Sequence, residues 1–225
     1  MITDLLGEIA ENRLQWLEPI GLGFFDCDAA LASQGRSLAA VYDQAYFDAY
    51  RDLADQPIGT ALNTFRCELA LKWAMATGAT ILDVGIGDGA FLRAMSDVAP
   101  GMRLRGVDVN PAAIAYLDEQ GWCGTLELQY DVVTFWDSLE HFRDPRVPLR
   151  AVGRVALVSL PIFTDAADAV TSKHFKPEEH FWYFTRHAFR AFAEQEGFDV
   201  LDILATESAL GRESIETFVL WRKDS

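Results

Sequence analysis

The sequence predicts an α/β fold: a doubly wound, mostly parallel sheet preceded by a helical extension and closed by an antiparallel strand pair. Three observations carry this. From Ala79 onward, short aliphatic runs alternate with helix-forming segments, the pattern of strands joined by crossover helices. Within it, the stretch Thr80 to Met95 passes from aliphatic residues through Gly85, Gly87 and Gly89 into a helix former. Glycine suits that turn because the chain must reverse with positive φ and present bare backbone to a ligand above it. Near the end, Phe198 to Ala205 and Ser214 to Trp221 read as two strands with no helix between them.

Taken in order, residues 3 to 17 place Leu6, Ala10, Leu14 and Leu17 at helical spacing, so an amphipathic helix is expected up to Pro19. Gly21 to Asp26 reads as a short strand or turn. A second helix is expected over Ser37 to Leu53, with Tyr42, Tyr46 and Tyr50 on one face, either packed or forming a lid over a ligand. Pro57-Ile-Gly59 breaks the run, and Leu62 to Ala76 resumes as helix up to Gly78. Strands follow at 80–84, 103–108, 130–136 and 154–160, with helices at 89–97, 111–120, 145–151 and 185–196. The organisation is thus a helical extension over 1–78 and a sheet domain over 79–225.

Composition narrows the function. The chain has 225 residues, half of them apolar, which is enough for one sizeable core. A net charge of -15 speaks against nucleic acid or anionic lipid as general partners, because both need a basic footprint. Cys27, Cys67 and Cys123 lie far apart, so neither a disulfide framework nor a zinc cluster is indicated. With no basic leader and no apolar stretch near the ~20 residues of a membrane span, a soluble cytoplasmic protein is expected.

The segments I-L-D-V-G-I-G-D-G (81–89), G-V-D-V-N-P (106–111) and Y-D-V-V-T-F-W-D-S-L-E-H (130–141), with the late strand pair, resemble the class I S-adenosylmethionine-dependent methyltransferases. The similarity runs from about residue 79 to the end. It implies a Rossmann-like domain that binds S-adenosylmethionine, releases S-adenosylhomocysteine, and methylates O, N or C of a small molecule without a metal. By the resemblance, Asp83 contacts the glycine loop and, through it, the cofactor's amino-acid end. Gly85 and Gly87 form the loop, Asp108 takes the ribose hydroxyls, Val109 lies against adenine, and Trp136 or Asp137 stands beside the methyl donor. A looser similarity over L-A-A-V-Y-D-Q-A-Y-F-D-A-Y (38–50) implies that Tyr46 and Arg66 lean over the amino-acid end.

Two other readings stay open. Gly85, Gly87 and Ala90 also satisfy G-x-G-x-x-A, and Asp108 follows 23 residues after the first glycine, which meets the nicotinamide fingerprint of an oxidoreductase. Against it, Asp88 opens the next helix, where pyrophosphate wants positive charge; a sulfonium and ammonium tolerate a carboxylate, and a plain helix N-cap is the alternative role. A methyltransferase-like protein that binds without turnover is the third reading.

A general base is optional for such a transfer. His141 is the candidate, with Glu140 adjacent but directed elsewhere if the two share a helix. Lys173, His174, Lys176 and His180, interleaved with Phe175, Phe181, Trp182, Tyr183 and Phe184, are either a substrate wall or core packing. Arg143, Arg146, Arg150 and Arg154 read as a solvated face. Between Gln120 and Tyr130 the chain is shorter than the family pattern, which omits a third strand and its acidic adenine contact.

Overall fold

The computed structural model describes residues 14–37, 41–74 and 78–223. Most of the expected helix over 3–17 lies outside these residues. Its described end is not helical: β1 (Gln15–Leu17) pairs antiparallel with β2 (Leu22–Phe24), which pairs with β7 (Trp182–Phe184). Helical spacing of leucines lost there to hairpin pairing with β2, itself held by β7 from far along the chain, a contact invisible to helical periodicity. Gly23 fits between these strands because a Cβ would stand 2.8 Å from the Trp16 ring.

Helix α1 (Cys27–Ser33) starts where the Asp26 carboxylate accepts the Ala29 N–H. Helix α2 (Gln44–Ala54) is capped by Asp43 and begins later than expected, so Tyr42 sits before it. Helix α3 (Pro57–Ala74) takes the expected breaker Pro57 as its first residue, where a missing N–H costs nothing. Residues 38–40 and 75–76 of the two expected helices lie outside the described residues.

The main sheet has six strands in the order β4 (Arg103–Val107), β3 (Thr80–Val84), β5 (Tyr130–Trp136), β6 (Val152–Pro161), β9 (Ile215–Arg222), β8 (Phe198–Leu204). The first four are parallel; β6 to β9 and β9 to β8 are antiparallel. The expected parallel sheet with an antiparallel end is therefore present. A one-turn helix, α9 (Thr206–Ala209), stands between β8 and β9, where none was expected. In the shortened segment, Cys123 makes a single parallel bridge to Gly106, so a stub edges β4 while Trp122 leans on Tyr116 at 6.3 Å.

The sheet is covered on both faces. Helices α3, α4 (Ala90–Val98) and α5 (Pro111–Gln120) supply one apolar layer around Phe91, Leu92 and Met95. The small sheet and α8 (Arg186–Gln195) supply the other, rich in Phe24, Phe135, Trp182, Phe184, Phe189 and Phe192. Two short helices, α6 (Arg146–Leu149) and α7 (Ala166–Thr171), complete the described elements. No described helix is long and apolar enough to cross a membrane.

Phe189 is fully buried between Phe184, Phe192 and Phe218, with its ring 4.6 Å from that of Phe218. Truncating it opens a cavity that rigid neighbours fill poorly. Phe189→Ala is expected to lower unfolding free energy by about 3–5 kcal/mol, read as a lower urea midpoint with unchanged slope.

Candidate active site

In the strand order β4-β3-β5 the chain leaves β3 to one side and returns on the other. The loops after these three strands therefore part over a crevice at their carboxyl ends. A cavity of about 450 Å³ opens there. Val84, Gly85 and Gly87 line it from β3, Val107, Asp108 and Val109 from β4, and Trp136, Asp137 and Ser138 from β5. Tyr42, Tyr46, Tyr50 and His141 line it as well.

The glycine loop is built for close approach. Gly85 and Gly87 have φ of +77° and +57°, and a Cβ on Gly85 would stand 2.7 Å from the Ser138 side chain. Ser138 donates to the Val84 carbonyl at 2.5 Å, fixing the loop to the end of β5. Asp108 accepts from the Gly87 N–H at 3.1 Å and from the Asn110 N–H at 2.8 Å. Burial pushes its carboxyl up, while those amides draw it down. Val109 is 71% exposed, an apolar side chain left open beside the crevice.

Asp83 is 1% exposed, and its partner is Thr134, which donates at 2.6 Å, in place of the expected loop backbone. Burial pushes its carboxyl up to about 7, against the pull of Thr134 and Arg66. Gly89, in the left-handed region, occupies the N-cap position, while the Asp88 carboxylate accepts the N–H of Ala90, the first helical residue, at 3.3 Å. The same carboxylate meets Arg93 at 2.6 Å, so its charge is countered within the helix. That removes the free anion on which its expected preference for a cationic ligand rested.

A smaller cavity of about 160 Å³ adjoins the first, lined by Arg66, Asp83, Gly85, Trp136, Asp137 and Arg212. Its wall is a buried ion network. Arg66 donates twice to Glu207, at 2.8 and 3.0 Å, and lies 4.9 Å above the Trp136 ring. Arg212 bridges Glu207, at 2.7 Å, to Asp137, whose φ of +53° turns the chain out of β5. Trp136 Nε1 is buried with no partner among the described residues. Sequence reading missed Glu207 and Arg212, since no local pattern marks an acid and a base in the connection between the last two strands as partners of Arg66 and Asp137.

The aromatic roof is partly as expected. Tyr46 and Tyr50 stack at 4.8 Å and Tyr42 meets Tyr46 edge-on at 5.2 Å, all along the cavity wall. Tyr42 also bonds His141 Nδ1 at 2.6 Å. Burial and Lys176 push the His141 imidazole down to about 3, so it is neutral at ordinary pH and a weak base. His141 and Glu140 share a 3-10 turn, Leu139–His141. The 172–185 segment is mostly core: Trp182, Tyr183 and Phe184 are buried in β7, and only Phe181 reaches the cavity. Its lysines are paired, Lys173 with Glu213 and Lys176 with Glu179.

The Glu207 carboxylate is wholly buried, and Arg66 and Arg212 hold it down at about 2 against the cost of burial. Since this lies below the ordinary 4.5, its stabilisation is complete above that value and fades as pH falls toward 2. Glu207→Gln removes the buried charge shared by two partly buried guanidinium groups and leaves them Asp137 as their remaining carboxylate. It is expected to cost about 3–5 kcal/mol at pH 7 in urea unfolding and to flatten the stability loss between pH 4.5 and 2.

A methyltransferase domain model matches residues 61–203, more than half of the chain. No curated protein sequence matches it. Among solved structures, the magnesium protoporphyrin IX methyltransferase of Synechocystis, with S-adenosylhomocysteine bound, is 14% identical with a TM-score of 0.58. That alignment covers 83% of this chain and 98% of the other. An S-adenosylmethionine-dependent methyltransferase of Clostridium acetobutylicum is 11% identical, covers 79% and 99% of the two chains, and has a TM-score of 0.57. The cyclase SpnF, 14% identical, covers 74% and 82% with a TM-score of 0.52. The chain belongs to the methyltransferase domain family and has the Rossmann-like fold of the class I S-adenosylmethionine-dependent enzymes.

Proposed function

We propose that this chain transfers a methyl group from S-adenosylmethionine to O, N or C of a small-molecule acceptor. The observation that carries the reading is the convergence of Gly85, Gly87, Asp108 and Trp136 on one cavity, in a chain of this family. Family membership favours methyl transfer over nicotinamide chemistry.

The residues fit the cofactor. The Cβ-free loop at Gly85 and Gly87 leaves room for close approach, and Trp136 Nε1 is a buried donor that lacks a partner. Asp108 offers its remaining lone pairs to ribose hydroxyls, and the exposed Val109, with Leu126, offers an apolar wall to adenine. Asp83 and Asp137 present carboxylates to an ammonium group, and Arg66 presents a cation to a carboxylate. Bound there, S-adenosylmethionine supplies an electrophilic methyl on a positively charged sulfur. The chain's own share is positioning, which alone removes about 7–11 kcal/mol of such barriers in favourable cases. Tyr42, Tyr46 and Tyr50, in the extension before the sheet, act as a lid that excludes water. Neutral His141, steered by Tyr42, orients an acceptor's O–H or N–H and takes its proton only weakly.

A second reading has one observation behind it: the same fold serves SpnF, whose name is that of a cyclase, so the fold does not fix the reaction. Transfer of tritium from methyl-labelled cofactor into a metabolite pool separates the two, since cofactor binding without label transfer removes the methyl-transfer reading.

Titration calorimetry is expected to show S-adenosylhomocysteine binding and no NAD binding; the reverse result sinks the assignment. Asp108→Ala is expected to weaken S-adenosylhomocysteine by about 1.5–3 kcal/mol, and unchanged affinity takes Asp108 out of the site. Because an ammonium group prefers ionised Asp83, affinity is expected to fall as pH drops below about 7, by at most about tenfold per pH unit. Asp83→Asn should abolish that slope.

A further inference from the structure

At the cavity wall lies a cluster of which the methyl-transfer reading uses His141 alone. Glu140 is fully buried, and neither of its carboxylate oxygens has a hydrogen-bond partner among the described residues. His180 is 3% exposed, and its Nδ1 is likewise buried without a partner. The His141 ring lies 4.6 Å from that of His180, in a T-shaped contact. One ligand atom from each of Glu140, His141 and His180 falls within 4.8 Å of the others. Buried polar atoms in native proteins are satisfied, and a carboxylate facing two imidazoles without hydrogen bonds demands a reason.

We propose that Glu140, His141 and His180 form a binding site for a borderline divalent transition-metal ion of the zinc and cobalt class. One carboxylate and two imidazoles are a donor set such ions take, with at least one coordination position left open. Ligand atoms of one tetrahedral zinc ion with ~2.1 Å bonds stand about 3.4 Å apart, so the three ligand atoms, within 4.8 Å of one another, close by up to about 1.4 Å. The unbonded Glu140 carboxylate is free to turn for this.

The surroundings agree. His141 Nδ1 is held by the Tyr42 hydroxyl at 2.6 Å, which leaves Nε2 as the ligand atom and Tyr42 as the outer partner that fixes the ring. The His180 Nδ1, buried without a partner among the described residues, is the atom available to the ion. Lys176 is the opposing charge nearby, and it is paired with Glu179 at 3.3 Å. Because His141 also lines the larger cavity, the ion stands at the wall facing the acceptor side and tethers the loop before β7 to the turn after β5. The site rests on these contacts; it shares His141 with the methyl-transfer reading, and with the ion bound Nε2 is a ligand and does not take the acceptor's proton.

Full-length protein stripped with EDTA and dialysed is titrated with Co²⁺ and then Zn²⁺. One equivalent of Co²⁺ is expected to give visible ligand-field absorption, which Zn²⁺ abolishes by displacing it. Glu140→Gln and His180→Gln are each expected to lose more than about 100-fold in Zn²⁺ affinity, and Tyr42→Phe about tenfold, the loss typical of an outer partner. Failure of the wild-type protein to bind one equivalent, or unchanged affinity in both ligand variants, overturns the proposal. The wild-type titration decides even if a variant does not fold. S-adenosylhomocysteine is titrated into the same preparation, so binding of it without metal rejects this site only, and metal binding without it rejects the cofactor reading only.

Discussion

The constraint on which this molecule depends is the reversal of strand order at β3. With β4 on one side and β5 on the other, the connections after β3 part, and backbone at their carboxyl ends has no strand above it to pair with. The open edge is met by glycines and short polar side chains. Ser138 ties β5 to the β3 end, and Asp108 ties β4 to Gly87. These bonds tie the loops to neighbouring strands without any ligand, which favours binding and positioning without a large ordering cost.

A second layer of organisation is the ion network at Glu207. It joins Arg66 of α3, Asp137 after β5 and Arg212 before β9, three segments with no sequence proximity. Ser159 in β6 adds a hydrogen bond at 3.1 Å. A buried network of this kind contributes little net stability compared with apolar packing, yet it is intolerant of losing a member. Its effect here is geometric: it fixes the left-handed turn at Asp137 and holds Arg66 over Trp136, at the boundary of the two cavities.

The opposite wall shows the reverse situation. Where Glu207 has partners on every side, Glu140 and His180 have unmet hydrogen-bonding capacity in an equally buried place. Two carboxylates at similar depth are thus pushed in opposite directions, Glu207 down by two guanidinium groups and Glu140 well up by desolvation with Asp137 nearby. The contrast locates where the protein has invested polar groups beyond what its packing needs.

The sheet strands, the glycine turn and the chemical identities at Asp83, Asp108, Trp136 and Asp137 were legible from the sequence, because each is a local pattern: a strand period, a positive-φ turn, a residue at a strand's end. Residues 14–17 were misjudged because pairing with β2, which β7 in turn holds from far along the chain, outweighed helical spacing. The partners of Asp83 and Asp88, the aromatic segment at β7, and the meeting of Arg66 with Glu207 depended on contacts between residues remote in sequence. So did the approach of His180 to Glu140 and His141. A sequence specifies which groups are available and on which local element they ride; which of them meet in the dry interior, where charge and hydrogen bonding count most, was decided by the tertiary structure alone.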